Sequence, residues 1–486
     1  MHTVLKSLSR YLFCLMACGV LSVSSLPAQT TSTPAADPAA ERREELKNQA
    51  DEAYRVGDHA RAEQLLNQVL TENPKDHVAL YLRGSARVEL GTATNDAAMV
   101  RSGISDARAA LAQEFNVDYY LPYLYGMSRL AIVEGRPEHS SSGREVADKV
   151  LSMNKANTEQ QANIYFQRSL LDTQLGDNAA AKQDLQKAIQ LAPKHLASQT
   201  ALCNLVLGEG NAQAAEAQFD ATIAAIPDQP IVFNNRGSFL QQQLRFDEAI
   251  RDFSKAIELD ANYVPALTNR GYVEILQEKY SAAEVDLTKS LELDPRQPTA
   301  FNLRAAARIN LGQIAGAIQD LQTVAQLTPD VAQAHFDLGF AHFYDRNYPA
   351  ARQEFDRAMQ LDPSIPFLAP WRYTAMVFSE QRDQAVSEFG AIERKPEDQR
   401  SWFDILTLLL MGKVNEDVVF ASIDNSTPQT KSMQECEANY FVGLRYASRN
   451  KPEEASKFFE KALTTRQRHL AAFRGAMYAS KQFAPQ

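Results

Sequence analysis

The sequence predicts an all-α fold, a solenoid of stacked helix pairs, on three observations. From Ala162 to Ile365 the chain repeats every 34 residues without a gap, and a fixed period of that size marks an array rather than one globular core. Within the period, three columns recur. A small residue falls at Ser169, Cys203, Gly237, Gly271, Ala305 and Gly339, and an alanine follows twelve later at Ala181, Ala215, Ala249, Ala283, Ala317 and Ala351. A proline follows twelve after that at Pro193, Pro227, Pro295, Pro329 and Pro363, with Ala261 the exception. Finally, apolar positions in each half-period recur at helical spacing, and the halves are separated by short turns such as Gln243–Phe246 and Gln277–Tyr280.

Each column has a physical reason. A small residue on the first helix and an alanine on the second let two backbones approach closely. Bulky residues four beyond the alanine (Leu185, Phe219, Phe253, Leu287, Leu321, Phe355) are expected to plug the gap between neighbouring pairs. Proline just past the second helix stops it, because it cannot continue the hydrogen-bond ladder. This spacing of small, alanine, bulky and proline positions resembles the tetratricopeptide repeat family. The resemblance implies a right-handed superhelical solenoid whose first helices line a concave groove for peptides.

One more column is visible in this chain alone. Arg168, Arg236, Arg270 and Arg304 stand just before the small residue, and Asp184, Asp252, Asp286 and Asp320 stand sixteen later on the second helix. The two remaining units carry Leu202 with Gln218 and Leu338 with Glu354. Arg and Asp occur together or not at all, which predicts a structural ion pair joining the helices of each unit. The planar guanidinium fork suits a bidentate carboxylate contact.

Residues 1–28 read as a secretory signal peptide: Lys6 and Arg10 precede an apolar run from Tyr11 to Leu26, with cleavage expected after Ala28. The alternative is a lipoprotein signal, because Leu15-Met16-Ala17-Cys18 resembles the bacterial lipobox and would make Cys18 the lipidated terminus. Residues 29–42 are rich in Thr, Pro and Ala and read as a disordered linker. Export to the periplasm or beyond is therefore expected, either free or anchored at the outer membrane through the Cys18 lipid.

Residues 43–161 read as N-terminal units. Ala50, Ala62, Leu66 and Pro74 keep the spacing of a first one, and Arg83 with Asp106 would make a fifth ion pair. Two units look stretched by long inter-helix loops, at Gly91–Ser102 and at Gly135-Arg136-Pro137 with Ser140-Ser141-Ser142. Residues 366–486 are divergent units closed by a helix from His469 to Phe483, which is expected to cap the array. Pro366-Phe367, Trp371, Tyr373, Trp402, Gly412, Asn439-Tyr440, Gly443 and Tyr446 resemble the C-terminal half of the new lipoprotein I family of bacterial outer-membrane tetratricopeptide lipoproteins. That resemblance implies an adaptor that docks envelope enzymes.

The inward columns of the first helices are the candidate peptide groove: Asn234, Ser238 and Gln241; Thr268, Tyr272 and Ile275; Asn302, Ala306 and Ile309; Phe336, Phe340 and Phe343. The groove runs from polar to aromatic, so the three phenylalanines either anchor a partner or pack against Trp371. Asn234 and Asn235 alone do not make the carboxylate clamp of chaperone-binding relatives. A net charge of −10 without a Lys/Arg cluster argues against nucleic acid. No catalytic constellation, cofactor motif or metal-ligand spacing is present, and Cys203, on a small-residue column, reads as a packing thiol. The expected function is a non-enzymatic scaffold binding other proteins or peptides. The alternative is a self-associating structural protein, a homodimer formed through the apolar run beginning at Trp402.

Overall fold

The computed structural model describes residues 38–482, so the expected leader over 1–28, Cys18 and residues 29–37 lie outside the described residues. Residues 38–42, expected as the end of the linker, instead open the first helix, where a proline and helix-forming Ala and Glu are at home. Among the described residues there are twenty-five α-helices and no strands. The chain divides into two compact units, one ending at Val232 and one beginning at Phe233.

The first unit holds five antiparallel pairs: α1 (Pro38–Arg55) with α2 (His59–Glu72), α3 (His77–Ala93) with α4 (Ala97–Gln113), α5 (Tyr120–Glu134) with α6 (Pro137–Ser152), α7 (Thr158–Gln174) with α8 (Asn178–Leu191), and α9 (Leu196–Gly208) with α10 (Ala212–Ala225). Neither expected loop insertion exists. The extra residues of the second pair lengthen both helices to 17 residues and leave a turn of three. Gly84 and Gly103 let those two helices touch, since a Cβ on Gly103 would fall 2.6 Å from the Gly84 carbonyl oxygen. Ser140, Ser141 and Ser142 are helical, and the buried Ser140 donates a hydrogen bond to Gln174 at 2.7 Å.

The second unit continues with α11 (Pro230–Gln242) and α12 (Phe246–Leu259), α13 (Val264–Leu276) and α14 (Tyr280–Leu293), α15 (Pro298–Leu311) and α16 (Ile314–Leu327), and α17 (Ala332–Tyr344) and α18 (Tyr348–Leu361). Shorter helices follow: α19 (Ala369–Phe378), α20 (Arg382–Glu393), α21 (Trp402–Met411) and α22 (Glu416–Ala421). It ends on α23 (Pro428–Ala447), α24 (Pro452–Thr464) and α25 (Ala471–Gln482). The polar segment 422–427 is irregular, and the chain turns helical at Pro428.

The small column gives room to the bulky residue sixteen later. A Cβ on Gly237 would meet Phe253 at 2.7 Å, on Gly271 Leu287 at 2.8 Å, and on Gly339 Phe355 at 2.6 Å. Each bulky residue therefore sits on the glycine of its own pair, and Leu287 also clusters with Ala300 and Ala307 of the next one. The alanine column is sealed in every pair from Ala181 to Ala351. A turn column escaped the sequence reading: Gly176, Gly210, Leu244, Glu278, Gly312, Arg346 and Glu380 stand 34 apart, and all have left-handed backbone with φ from +60° to +82°. This residue reverses the chain between the two helices, and only three of the seven positions use the glycine that would adopt it freely.

Beyond α18 the core changes character. Trp371 becomes a hub, its ring centroid 4.9 Å from Phe340, 5.1 Å from Phe343, 5.1 Å from Tyr440 and 5.3 Å from Phe441. Residues distant in sequence thus share one aromatic core.

Candidate protein-binding face

The Arg–Asp column is built as two-pronged contacts. Arg168 donates through Nε and Nη2 to Asp184 at 2.6 and 2.7 Å, Arg236 to Asp252 at 2.7 and 2.7 Å, Arg270 to Asp286 at 2.6 and 2.8 Å, and Arg304 to Asp320 at 3.0 and 2.6 Å. Arg83 and Asp106 repeat it at 2.8 and 2.8 Å across the lengthened pair. A further member, Arg372 with Glu388 at 2.7 Å, continues the sixteen-residue spacing past the regular stack. The third guanidinium nitrogen has its own task. Nη1 of Arg83, Arg270 and Arg304 reaches Asn67, Ser254 and Thr288, each sixteen residues back on the preceding pair. One side chain therefore holds its own pair closed and stitches it to the previous pair. The aspartates are buried and the arginines mostly so, which makes the column structural.

The proposed groove divides into three groups. Asn234 and Thr268 are turned inward. Asn234 is fully buried and accepts a hydrogen bond from Asn269 at 3.0 Å, and the Thr268 hydroxyl lies 2.7 Å from that of Ser290 on the second helix of its pair. The aromatic end is also closed. Phe340 and Phe343 are buried against Trp371, while Phe336 packs edge-on to Phe367 at 5.4 Å. Of the two expectations, packing on Trp371 is observed for Phe340 and Phe343, whereas Phe336 stays half-buried. Ile309 is buried as well.

Ser238, Gln241, Tyr272, Ile275 and Asn302 remain half-buried. Burial raises the Tyr272 hydroxyl above its ordinary pKa, so it stays a neutral donor. Asn302 Oδ1 is shielded from solvent without a hydrogen-bond partner, and so is Asn310 Oδ1 two turns along the same helix. The amide nitrogen of Asn310 donates to the Ala306 carbonyl at 2.8 Å, which fixes its orientation. Asn310 was missed by the sequence reading because it falls between the inward columns. The face is therefore polar, with one half-buried phenol beside two side-chain acceptors whose hydrogen bonds are unmade.

Among the described residues, no group of three His, Cys, Asp or Glu side chains is arranged to hold a metal ion. Cys203 and Cys436 are both free and buried, and burial pushes their thiols up to about 11 and about 12, far from thiolate reactivity. The apolar run that could have fed a homodimer is core: Leu406, Leu408, Leu409 and Leu410 are buried. Among the described residues no helix is long and apolar enough to cross a membrane.

Family models described as tetratricopeptide repeat match residues 47–110, 162–195, 232–263, 332–365 and 442–472. The chain is a tetratricopeptide repeat protein. Its fold is the all-α superhelical class expected of one. Among solved structures it is similar to YrrB, described as a TPR protein with an unusual peptide-binding site, at 21% identity over 38% of this chain and 95% of that one, TM-score 0.35. It is similar to pilF of Pseudomonas aeruginosa at 22% identity, covering 48% of this chain and 99% of that one, TM-score 0.38. It is also similar to a thermophilic TPR protein of Thermus thermophilus at 20% identity, covering 41% of this chain and 99% of that one, TM-score 0.36.

Proposed function

We propose that this tetratricopeptide repeat protein is a non-enzymatic scaffold that binds a protein or peptide ligand along the first helices of its second unit, in the bacterial cell envelope. The observation that carries the reading is the polar face of α13 and α15, where Tyr272 and the unpaired acceptors Asn302 Oδ1 and Asn310 Oδ1 stand on successive first helices. Leaving such acceptors unmade costs free energy that a partner's amide groups would recover as the two carboxamides turn toward it. Interfaces of this kind gain from an aromatic side chain flanked by directional polar groups.

The envelope location rests on the sequence before residue 38. Lys6, Arg10, the apolar run and the Cys18 context have the layout of an export signal, with a lipid on Cys18 as the variant form. An adaptor role like that of new lipoprotein I relatives fits the aromatic landmarks around Trp371 and Tyr440. Self-pairing is the weaker reading, because the apolar run that suggested it is spent on the core.

A photo-crosslinking residue at Tyr272, with a control at the exposed Val285 on the second helix of the same pair, tests the binding role in the native host. Adducts from Tyr272 alone, in the membrane or periplasmic fraction, are expected. Equal yields from both positions would sink the groove reading, and a cytoplasmic chain still beginning at Met1 would sink the envelope one. Mass spectrometry of wild type against Cys18→Ser separates a lipidated start from cleavage after Ala28.

A further inference from the structure

The last helix does more than cap the array. Its residues Ala472, Phe473, Gly475, Ala476 and Ala479 are buried toward α23 and α24, and Gly475 fits because a Cβ there would lie 2.5 Å from the Tyr440 ring. The opposite stripe, at Ala471, Arg474, Tyr478 and Lys481, has the 3-4-3 spacing of one helix face. Ala471, Arg474 and Tyr478 of that stripe are half-buried, and only Lys481 is exposed. The stripe meets the C-terminal turns of first helices far back in the chain.

The Tyr478 hydroxyl donates to the Ile309 carbonyl at 2.6 Å, and its ring stacks on Tyr344 with centroids 5.4 Å apart and planes 1° from parallel. The Tyr344 hydroxyl returns a hydrogen bond to the Ala471 carbonyl at 3.0 Å. The Lys481 ammonium lies 3.8 Å from the Cβ position of Gly312, just past the end of α15. Arg468, ahead of the helix, pairs with Glu278 beyond α13 at 3.2 Å. The logic is that of helix ends. The last carbonyls of a helix lack internal partners and carry the negative end of its dipole, so they favour hydroxyl donors and cations. The seat thus offers the Ile309 carbonyl, which accepts from the Gly312 N–H at 3.2 Å and has a second lone pair for Tyr478, with a flat phenol to stack on and a carboxylate, and α25 supplies a tyrosine and basic residues that match.

Resting on the scaffold reading, we propose that the C-terminal turns of α13, α15 and α17 form a seat for an amphipathic helix presenting a tyrosine and basic side chains at 3-4-3 spacing. The chain's own α25 is the latch that fills it until a partner's helix of that kind displaces it. Release is feasible because the polar part of the seat is thin: two hydrogen bonds to main-chain carbonyls, contacts of Arg474 with the Tyr344 hydroxyl and of Arg468 with the Tyr280 hydroxyl, and an ion pair whose side chains are 46% and 52% exposed. Tethering raises the latch's effective concentration, so an external helix binds the wild-type chain weakly until the latch is loosened.

The test uses the full chain and a fluorescent synthetic peptide of residues 468–482. Tyr478→Ala combined with Arg474→Ala loosens the latch and spares its buried face. Peptide binding at least about tenfold tighter to this variant than to wild type is expected, together with faster tryptic cleavage at Arg466 and Arg468. A peptide itself carrying Tyr478→Ala and Arg474→Ala should not bind. Equal binding to variant and wild type, or unchanged cleavage, overturns the proposal. If the variant loses its far-ultraviolet helical signal, the conservative Tyr478→Phe, which removes only the bond to Ile309, gives the same comparison. A dimer on light scattering of the variant would make the occupant a second copy's α25 and overturn the partner-helix assignment. Adducts from Tyr272 that persist while the peptide fails would leave the scaffold reading standing and remove only the seat.

Discussion

The regular stack from α11 to α18 and the terminal bundle from α19 to α25 belong to one compact unit but are held together in different ways. In the stack, contacts are local: a glycine takes the bulky residue sixteen later, and an arginine joins its own pair to the one before. The bundle reaches far along the chain: α25 hydrogen-bonds to residues 127 and 169 positions away on α17 and α15, and the indole on α19 touches rings from α17 and α23. A repeat array spreads its stability over nearest neighbours and tolerates change one unit at a time. A closed aromatic core concentrates it. Removing Trp371 should therefore have the largest effect of any single substitution. Trp371→Ala is expected to cost about 4 kcal/mol, since a fully packed indole leaves a cavity that its neighbours cannot fill. Urea unfolding followed by Trp402 fluorescence would show an early transition of the bundle. A single unshifted transition would mean that the bundle does not depend on its hub.

Within the stack, the sharpest test falls on the ion pairs. Asp320 answers two cations, accepting from Arg304 and from Arg308 Nη1 at 2.9 Å. Asp320→Ala leaves both uncompensated in a nearly dry site and is expected to cost about 3 kcal/mol. Replacing both members elsewhere should be far milder. Arg236→Leu with Asp252→Gln copies the chain's own Leu202 and Gln218 and should stay within about 1 kcal/mol of wild type, because no charge is stranded. A double variant as damaged as Asp320→Ala would show that the pairs add net stability instead of merely requiring each other.

The contrast also explains what was legible. The stack could be read because every constraint recurs: six glycine or small positions, six alanines and four matched Arg–Asp pairs survive drift around them. The third arm of the arginine could not, because Asn67, Ser254 and Thr288 are ordinary polar residues on a helix surface. The left-handed turn column was hidden for the opposite reason, since Leu244, Glu278, Arg346 and Glu380 are not residues that announce such a backbone. At the candidate face, periodicity placed Tyr272 and Asn302 but overran at Phe340 and Phe343. A 34-residue pattern fixes what a residue meets in its own and adjacent pairs, and says nothing of a core closed by α23 and α25. The apparent loop insertions failed similarly, because a longer turn and two longer helices look alike in spacing.

Glu274 marks a place where the repeat works against itself. Its counterpart 34 residues on is Arg308, which answers Glu284 and Asp320. Glu274 instead puts a second carboxylate beside Asp286. Burial first, then that neighbour, raise its pKa to about 7 from an ordinary 4.5, with Arg270 and Lys279 opposing. A carboxyl with a raised folded-state pKa favours folding while protonated. Its contribution is whole below about pH 4.5 and is lost as pH climbs to about 7. Glu274→Gln should thus raise stability at pH 8 by on the order of 2 kcal/mol and change little at pH 4. Asp172, raised to about 6 by burial and by Asp184, should give the same sign with Asp172→Asn. Urea midpoints at the two pH values check both, and equal gains at both would remove protonation as the cause.

The smallest expected effect lies at the turn column, and it separates backbone cost from packing. Leu244 is 73% exposed and holds φ at +60°, so its side chain returns little for a conformation that L-residues avoid. Glycine at this position relieves that strain but loses more chain entropy on folding, and the two terms partly cancel. Leu244→Gly is expected to stabilise by about 0.5 kcal/mol, and Gly312→Leu at the equivalent turn to destabilise by about 1 kcal/mol. Opposite signs from the two exchanges would assign the cost to the left-handed residue itself. Losses in both would mean that each turn has adapted to its own side chain, and that the repeat is less interchangeable at its reversals than at its helices.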